Sequence, residues 1–175
     1  MIRFPLARLI GLCALALGLS PLTTAQEGST ITEDSQFDDW LVRCITEGDK
    51  PRECAMISRA IDVVDQRDLA IIRFLRVPEE ARVLGNEIYA GQLTVPTNIN
   101  VRAGIDVLID QTFVGNVDFE VCTPRNCITT FPLTPEMIQA MRAGFAGTLV
   151  LTDAAGFEVS ASFSLSGFST ALDML

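Results

Sequence analysis

The sequence predicts a mainly β protein, an immunoglobulin-like two-sheet β-sandwich with one short helix over about residues 134–143 and two local disulfides. Three observations predict it. Apolar and polar residues alternate with a period of two in short runs, turn-forming residues separate those runs, and four cysteines fall into two close pairs. The clearest run is 157–165: Phe157, Val159, Ala161, Phe163 and Leu165 share one face, and Glu158, Ser160, Ser162 and Ser164 the other.

The remaining elements follow in chain order. A first strand is expected over 39–45, where Trp40 precedes Val42 and Cys44 and suits a core position near a disulfide. A second covers 53–61, and the loop 47–51, with Gly48 and Pro51, makes the two a hairpin. The run 69–77 is apolar on both faces between Ala70 and Leu75, as a central strand covered on both sides would be. Residues 78–100, with Pro78, Gly85, Gly91 and Pro96, read as a long loop carrying one or two edge strands. Ile105, Val107 and Ile109 alternate with Asp106 and Asp110, and 110–112 is a tight connection. Val117, Phe119 and Val121 alternate with Asp118 and Glu120, and 126–131 forms a further strand. The helix has Thr134 as N-cap, Pro135 in its first turn and Glu136 complementing the dipole. Its stripe of Met137, Ile138, Ala140 and Met141 packs on the sheet, and Gly144 ends it. A strand over 147–152 then meets the 157–165 run through the loop 153–156, where Gly156 can take a positive φ.

The chain's 175 residues, 49% hydrophobic and 20% charged, suit one folded domain and exclude a low-complexity or disordered scaffold. Its first 25 residues read as a cleaved secretory signal. Arg3 and Arg8 precede the eleven uncharged residues 9–19, and small residues Thr23 and Ala25 sit at the cleavage positions. Such a stretch falls short of the ~20 residues that cross a bilayer. Polar residues 26–36 read as a flexible arm, leaving 37–175 as the domain. Cleavage leaves eleven basic residues against 22 acidic ones, a charge of −11. That surface repels phosphate backbones and anionic lipids, so neither nucleic-acid binding nor membrane insertion is expected. The mature chain is expected in the periplasm or beyond the cell.

Cys44, Cys54, Cys122 and Cys127 allow three pairings. The local one joins neighbouring segments, and each loop closed would add ~2–3 kcal/mol in an oxidising compartment. A zinc site would want shorter gaps and often histidine, and the four residues between Cys122 and Cys127 differ from the two of a thioredoxin-type pair. The chain has no histidine, which removes Ser-His and Cys-His nucleophile pairs. Lys50, the single lysine, lies in a hairpin loop. Asp38-Asp39 and Glu79-Glu80 are adjacent acids rather than an opposed pair, and 164–168 lacks the leading glycine of a nucleophile elbow. No catalytic, cofactor-binding or metal-ligating residue is expected.

Three segments together resemble one family: Trp40-Leu-Val-Arg-Cys44 with Glu53-Cys54-Ala-Met-Ile57; Phe119-Glu-Val-Cys122 with Cys127 and the helix that follows; and Ser164-Leu-Ser-Gly-Phe-Ser-Thr-Ala-Leu172. Over about residues 37–172 the chain resembles the invasion-associated locus B family of exported bacterial proteins. Asn126 stands where members often have glycine, and Asn also tolerates a left-handed backbone. The resemblance implies a periplasmic or secreted β-sandwich, relatives linked to host-cell entry, and no enzymatic activity or cofactor. Trp40, Gly156, Gly167 and Phe168 are then expected to be structural. The expected function is non-catalytic binding of a protein or cell-envelope partner. One alternative is a thiol-redox or small-ligand enzyme using Cys122 and Cys127. The other is a carbohydrate-binding module using Tyr89 or Phe113.

Overall fold

The computed structural model describes residues 29–82 and 88–175; the expected signal, residues 26–28 of the expected arm, and 83–87 lie outside them. The strands run β1 Thr30–Phe37, β2 Trp40–Glu47, β3 Glu53–Asp62, β4 Asp68–Arg76, β5 Tyr89–Val95, β6 Ile105–Ile109, β7 Thr112–Val117, β8 Val121–Cys122 and β9 Cys127–Pro132. Helix α1, Pro135–Ala143, is followed by β10 Ala146–Thr152, β11 Glu158–Ser164 and helix α2 Phe168–Asp173. Among the described residues these strands form one antiparallel sheet in the order β7-β6-β10-β11-β3-β4-β5-β9-β8, with β2 on β3 and β1 on β2. Strand β3 serves both halves. Its start pairs with β2, and after an irregularity between Ala60 and Ile61 its end pairs with β11. A bulge there bends the strand and turns the sheet back on itself, so the two expected layers are one curled sheet.

The core lies between the layers. Val42, Met56, Ile72, Phe74 and Leu93 face Ile105, Val107, Leu149, Leu151 and Phe163, all nearly inaccessible. Trp40 is at its centre, with its ring 5.5 Å from both Phe74 and Phe168. Its indole N–H donates to the Ser164 carbonyl at 3.1 Å, which satisfies the one polar group on a large buried side chain. Gly167 has φ +82°, and a Cβ there would collide with the Phe37 carbonyl, so only glycine lets the chain turn into α2. Gly156 has φ +92° in the β10–β11 turn. The Ser166 hydroxyl donates to the Asp38 carboxylate at 3.0 Å and ties this corner to the β1–β2 turn.

Helix α1 begins as its sequence dictates. The Thr134 hydroxyl accepts from the Met137 N–H at 3.2 Å, Pro135 opens the first turn, and Met137 and Met141 are buried. Gly144 ends it in an extended conformation, φ −86°, and its glycine is needed because a Cβ would press on Ile109.

Several expectations change. Residues 30–36, expected in a flexible arm, form β1: every residue from Thr30 to Phe37 pairs with β2 although almost all its side chains are exposed. Strand β4 is covered on one face, not two; Ile71 is 44% exposed and Arg73 points outward. The segment 78–100 holds a central strand, β5, bonded to β4 and β9. The 117–121 alternation is broken between β7 and β8. Phe157, expected in the core, is 70% exposed just before β11. The single expected helix is joined by α2, which buries Phe168, Ala171 and Leu172.

Candidate functional site

Both cysteine pairs are local disulfides. Cys44 stands directly opposite Cys54 across β2 and β3, and Cys122 opposite Cys127 across β8 and β9, each with Cα atoms 4.0 Å apart. Their surroundings differ: Cys44 and Cys127 are buried, Cys54 is half-buried and Cys122 is exposed. In the short loop of the second pair the Thr123 hydroxyl accepts from the Arg125 and Asn126 N–H groups at 3.2 Å. Asn126 is outside the left-handed region its sequence position suggested, and its side-chain carbonyl accepts from the Thr123 hydroxyl at 2.9 Å.

The first disulfide stands at the edge of a cleft. Strand β2 pairs with β3 as far as Glu53, and β5 pairs with β4 as far as Arg76, but β3 and β4 pair with each other only to Ala55 and Leu75. Beyond that point the two strands splay. The register explains why: continued pairing would set Arg52 against Pro78, which has no N–H to donate. The resulting wedge has a volume of about 740 Å³. Its walls carry Arg43, Arg52, Arg73 and Arg76, with Lys50 and Arg82 at the rim. Six of the eleven basic residues beyond the expected signal therefore meet around one concavity.

Half of these cations have partners. Arg43 makes two bonds to Asp34, at 2.8 and 2.7 Å, Arg52 reaches Glu33 at 2.8 Å, and Lys50 reaches Glu47 at 2.8 Å. The Arg43 hydrogen bonds hold the Asp34 carboxyl below the usual carboxylate range, and Lys50 does the same for Glu47. These pairs are exposed and hold their partners weakly. Among the described residues no carboxylate lies within 4.0 Å of Arg73 or Arg76. Acids Glu53, Glu79 and Glu80 share the wall, the last two in a single 3₁₀ turn, Glu79–Ala81. Half-exposed Ile57 and Leu75 floor the cleft.

Other residues singled out by sequence are scattered. Trp40 is fully buried, Tyr89 is half-buried against the core, and Phe113 is 59% exposed on β7 of the other layer. Tyr89 and Phe113 thus lie on separate elements rather than on one strand face. Asp38 and Asp39 form the β1–β2 turn, away from Glu79 and Glu80. Among the described residues no three His, Cys, Asp or Glu are grouped to hold a metal ion, and no helix is long and apolar enough to cross a membrane. A smaller, mostly apolar groove of about 510 Å³ lies along α1, lined by Ile88, Leu133, Ile138 and Arg142. Sequence reading missed the wedge. Its signal was the arginines interrupting an apolar strand, together with Pro51 and Pro78 where the two strands diverge.

Comparison with known proteins places these features. The family model described as invasion associated locus B protein matches residues 40–175, from the core tryptophan to the end of the sequence. The chain belongs to the invasion associated locus B family. It is 25% identical over 172 residues to an invasion protein B homolog of Brucella abortus strain 2308, covering 96% of this chain and 95% of the relative. A homolog of the same name from strain 9-941 of Brucella abortus biovar 1 matches equally. The crystal structure of invasion associated protein B from Bartonella henselae shares the fold, with a TM-score of 0.65 and 21% identity over 81% of this chain and 94% of that one. In this locus B chain the segments that carry the family resemblance sit at the Trp40–Phe168 corner and at the two disulfide hairpins. Chemically, the arrangement can bind: it offers a disulfide-braced scaffold, a wedge lined by charges of both signs and sulfurs committed to cross-links.

Proposed function

We propose that this locus B family chain is an exported, non-catalytic envelope protein that acts by binding another macromolecule in the periplasm or beyond the cell. The observation that carries the reading is the closure of both cysteine pairs as disulfides, which suits an oxidising compartment and takes four of the chain's strongest nucleophiles out of service. The signal-like leader of the sequence supports export. The relatives are named for invasion, and we carry over to this chain only that its partner is met outside the cytoplasm.

Cross-linking in intact cells, followed by purification of the mature chain and mass spectrometry, tests this. A discrete partner recovered together with a chain lacking its first ~25 residues supports the reading. A full-length, thiol-reduced chain in the cytosol overturns it. The exposure of Cys122 favours a second reading, a thiol-redox role for the Cys122–Cys127 pair. A reduction potential below about −300 mV would rule that out.

A further inference from the structure

We propose that β1 pairs with β1 of a second copy of this chain, antiparallel across a two-fold axis at Thr32, so that one sheet runs through a dimer. This goes beyond the macromolecular-binding reading and does not depend on it. The edge comes first. Among the described residues β1 is bonded to β2 alone, and the backbone bonds outside the strand pairings include none from Thr30, Thr32, Asp34 or Gln36. The Gly48 N–H donates to the Ser29 carbonyl, so Ser29 and every second residue after it turn their backbone groups to β2. Thr30, Thr32, Asp34 and Gln36 turn theirs outward. Sheet proteins ordinarily shield such an edge with proline, lysine, a bulge, a short strand or a covering element. Strand β1 is eight residues long, keeps an unbroken register with β2, contains no proline or lysine, and is exposed along nearly its whole length.

The order of side chains selects the occupant. Glu33 and Asp34, the two charges on β1, are each held by an arginine of the same chain, Arg52 at 2.8 Å and Arg43 at 2.7 Å. The edge is thus close to neutral on a chain of −11 beyond the expected signal. With Thr32 opposite its own copy, Thr30 stands opposite Asp34 and Ile31 opposite Glu33, so like charges do not meet. The Thr30 hydroxyl can then donate to the facing Asp34 carboxylate, and the stem of Glu33 covers Ile31, which is 55% exposed in the single chain. Registers centred on Glu33 or Asp34 would set those acids against themselves. Three facing pairs supply about six backbone hydrogen bonds, and the two-fold pair consumes the edge of both copies. The opposing term is repulsion between two acidic chains, which salt screens.

Sedimentation equilibrium of the mature chain from about 1 to about 500 μM tests this. The average mass should rise towards that of a dimer, more steeply at about 300 than at about 50 mM salt. Thr32→Pro removes the outward N–H at the axis without touching the bonds to β2, and should leave a monomer at every concentration. If its circular dichroism melt comes early, Thr32→Asp serves instead; it sets two acids face to face and should weaken the dimer several-fold. Thr32→Cys should give a covalent dimer on mild oxidation, because facing Cα atoms in such a pair stand ~5.5 Å apart. Gln36→Cys, roughly 27 Å from its own copy, should not. A monomer throughout, a dimer that survives both Thr32→Pro and Thr32→Asp unchanged, or equal cross-linking through Gln36→Cys overturns the proposal. So does a chain that stays monomeric while β1 takes up a foreign strand. None of these results decides whether another macromolecule is recovered from intact cells, so the two readings fail separately.

Discussion

The two disulfide hairpins share one covalent design and differ in what surrounds it. In each, cysteines stand directly opposite across an antiparallel pair. The β2–β3 hairpin is built from strands of eight and ten residues, its Cys44 is buried, and its first residue, Trp40, anchors the core. The β8–β9 hairpin has a two-residue strand, Val121–Cys122, at the sheet's edge, with both residues exposed. The lesson is that an identical bond does different work. One reinforces a hairpin already held by packing, whereas the other attaches an edge that packing hardly holds.

The largest way to break the contrast lies at the first hairpin. Trp40→Ala should cost about 3–5 kcal/mol in denaturant unfolding, since it empties the aromatic cluster and strands the Ser164 carbonyl. Next come the disulfides. Cys44→Ala with Cys54→Ala should lower global stability by about 3 kcal/mol, and Cys122→Ala with Cys127→Ala by about 2, following loops of separation 10 and 5. Hydrogen exchange sharpens the difference: the second pair of substitutions should expose amides of β8 and the start of β9 without loosening β2. A smaller effect of opposite sign is expected at Thr129 on β9, whose buried hydroxyl has no partner. Thr129→Val should stabilise the chain by about 1 kcal/mol in the same assay.

The smallest effect is electrostatic, at the far end of β3. There the Asp62 carboxylate accepts from the Asp65 and Val64 N–H groups at 3.0 and 2.8 Å, which holds its pKa below the usual range. A depressed folded pKa stabilises the fold above the unfolded value of ~3.9 and loses that contribution as pH falls through the folded one. Melts of wild type and Asp62→Asn should therefore differ near neutral pH, and the difference should shrink as pH falls below about 4.

Legibility followed burial. Strand β11 was readable because Ala161 and Phe163 face the core while serines face out. Strand β1 was invisible because residues such as Glu33 and Asp34 are exposed and are held by backbone pairing with β2 and by surface ion pairs rather than by burial. Strand β5 was masked by Gly91, which looks like a breaker but leaves room for the Phe131 ring lying over it. Helix α2 is six residues long, too short for a helical period, and its place depends on Phe168 finding Trp40. The wedge was illegible for another reason. It exists because a register stops at Ala55 and Leu75, and Pro51 and Pro78 mark that stop only once the pairing of β3 with β4 is known. The two cysteine pairings, being local, were legible, although the strand expected over 117–121 ahead of Cys122 is broken.

The bond from Trp40 to Ser164 spans 124 positions, and Phe168 closes the same corner from further along the chain. A ribosome therefore delivers the partners of the first core residue only near the end of its run. Contacts that distant form late and slowly, so the core cannot close until nearly the whole polypeptide is present. A product cut short before Ser164 would leave its tryptophan exposed to proteases, and quality control could tell it from the finished protein.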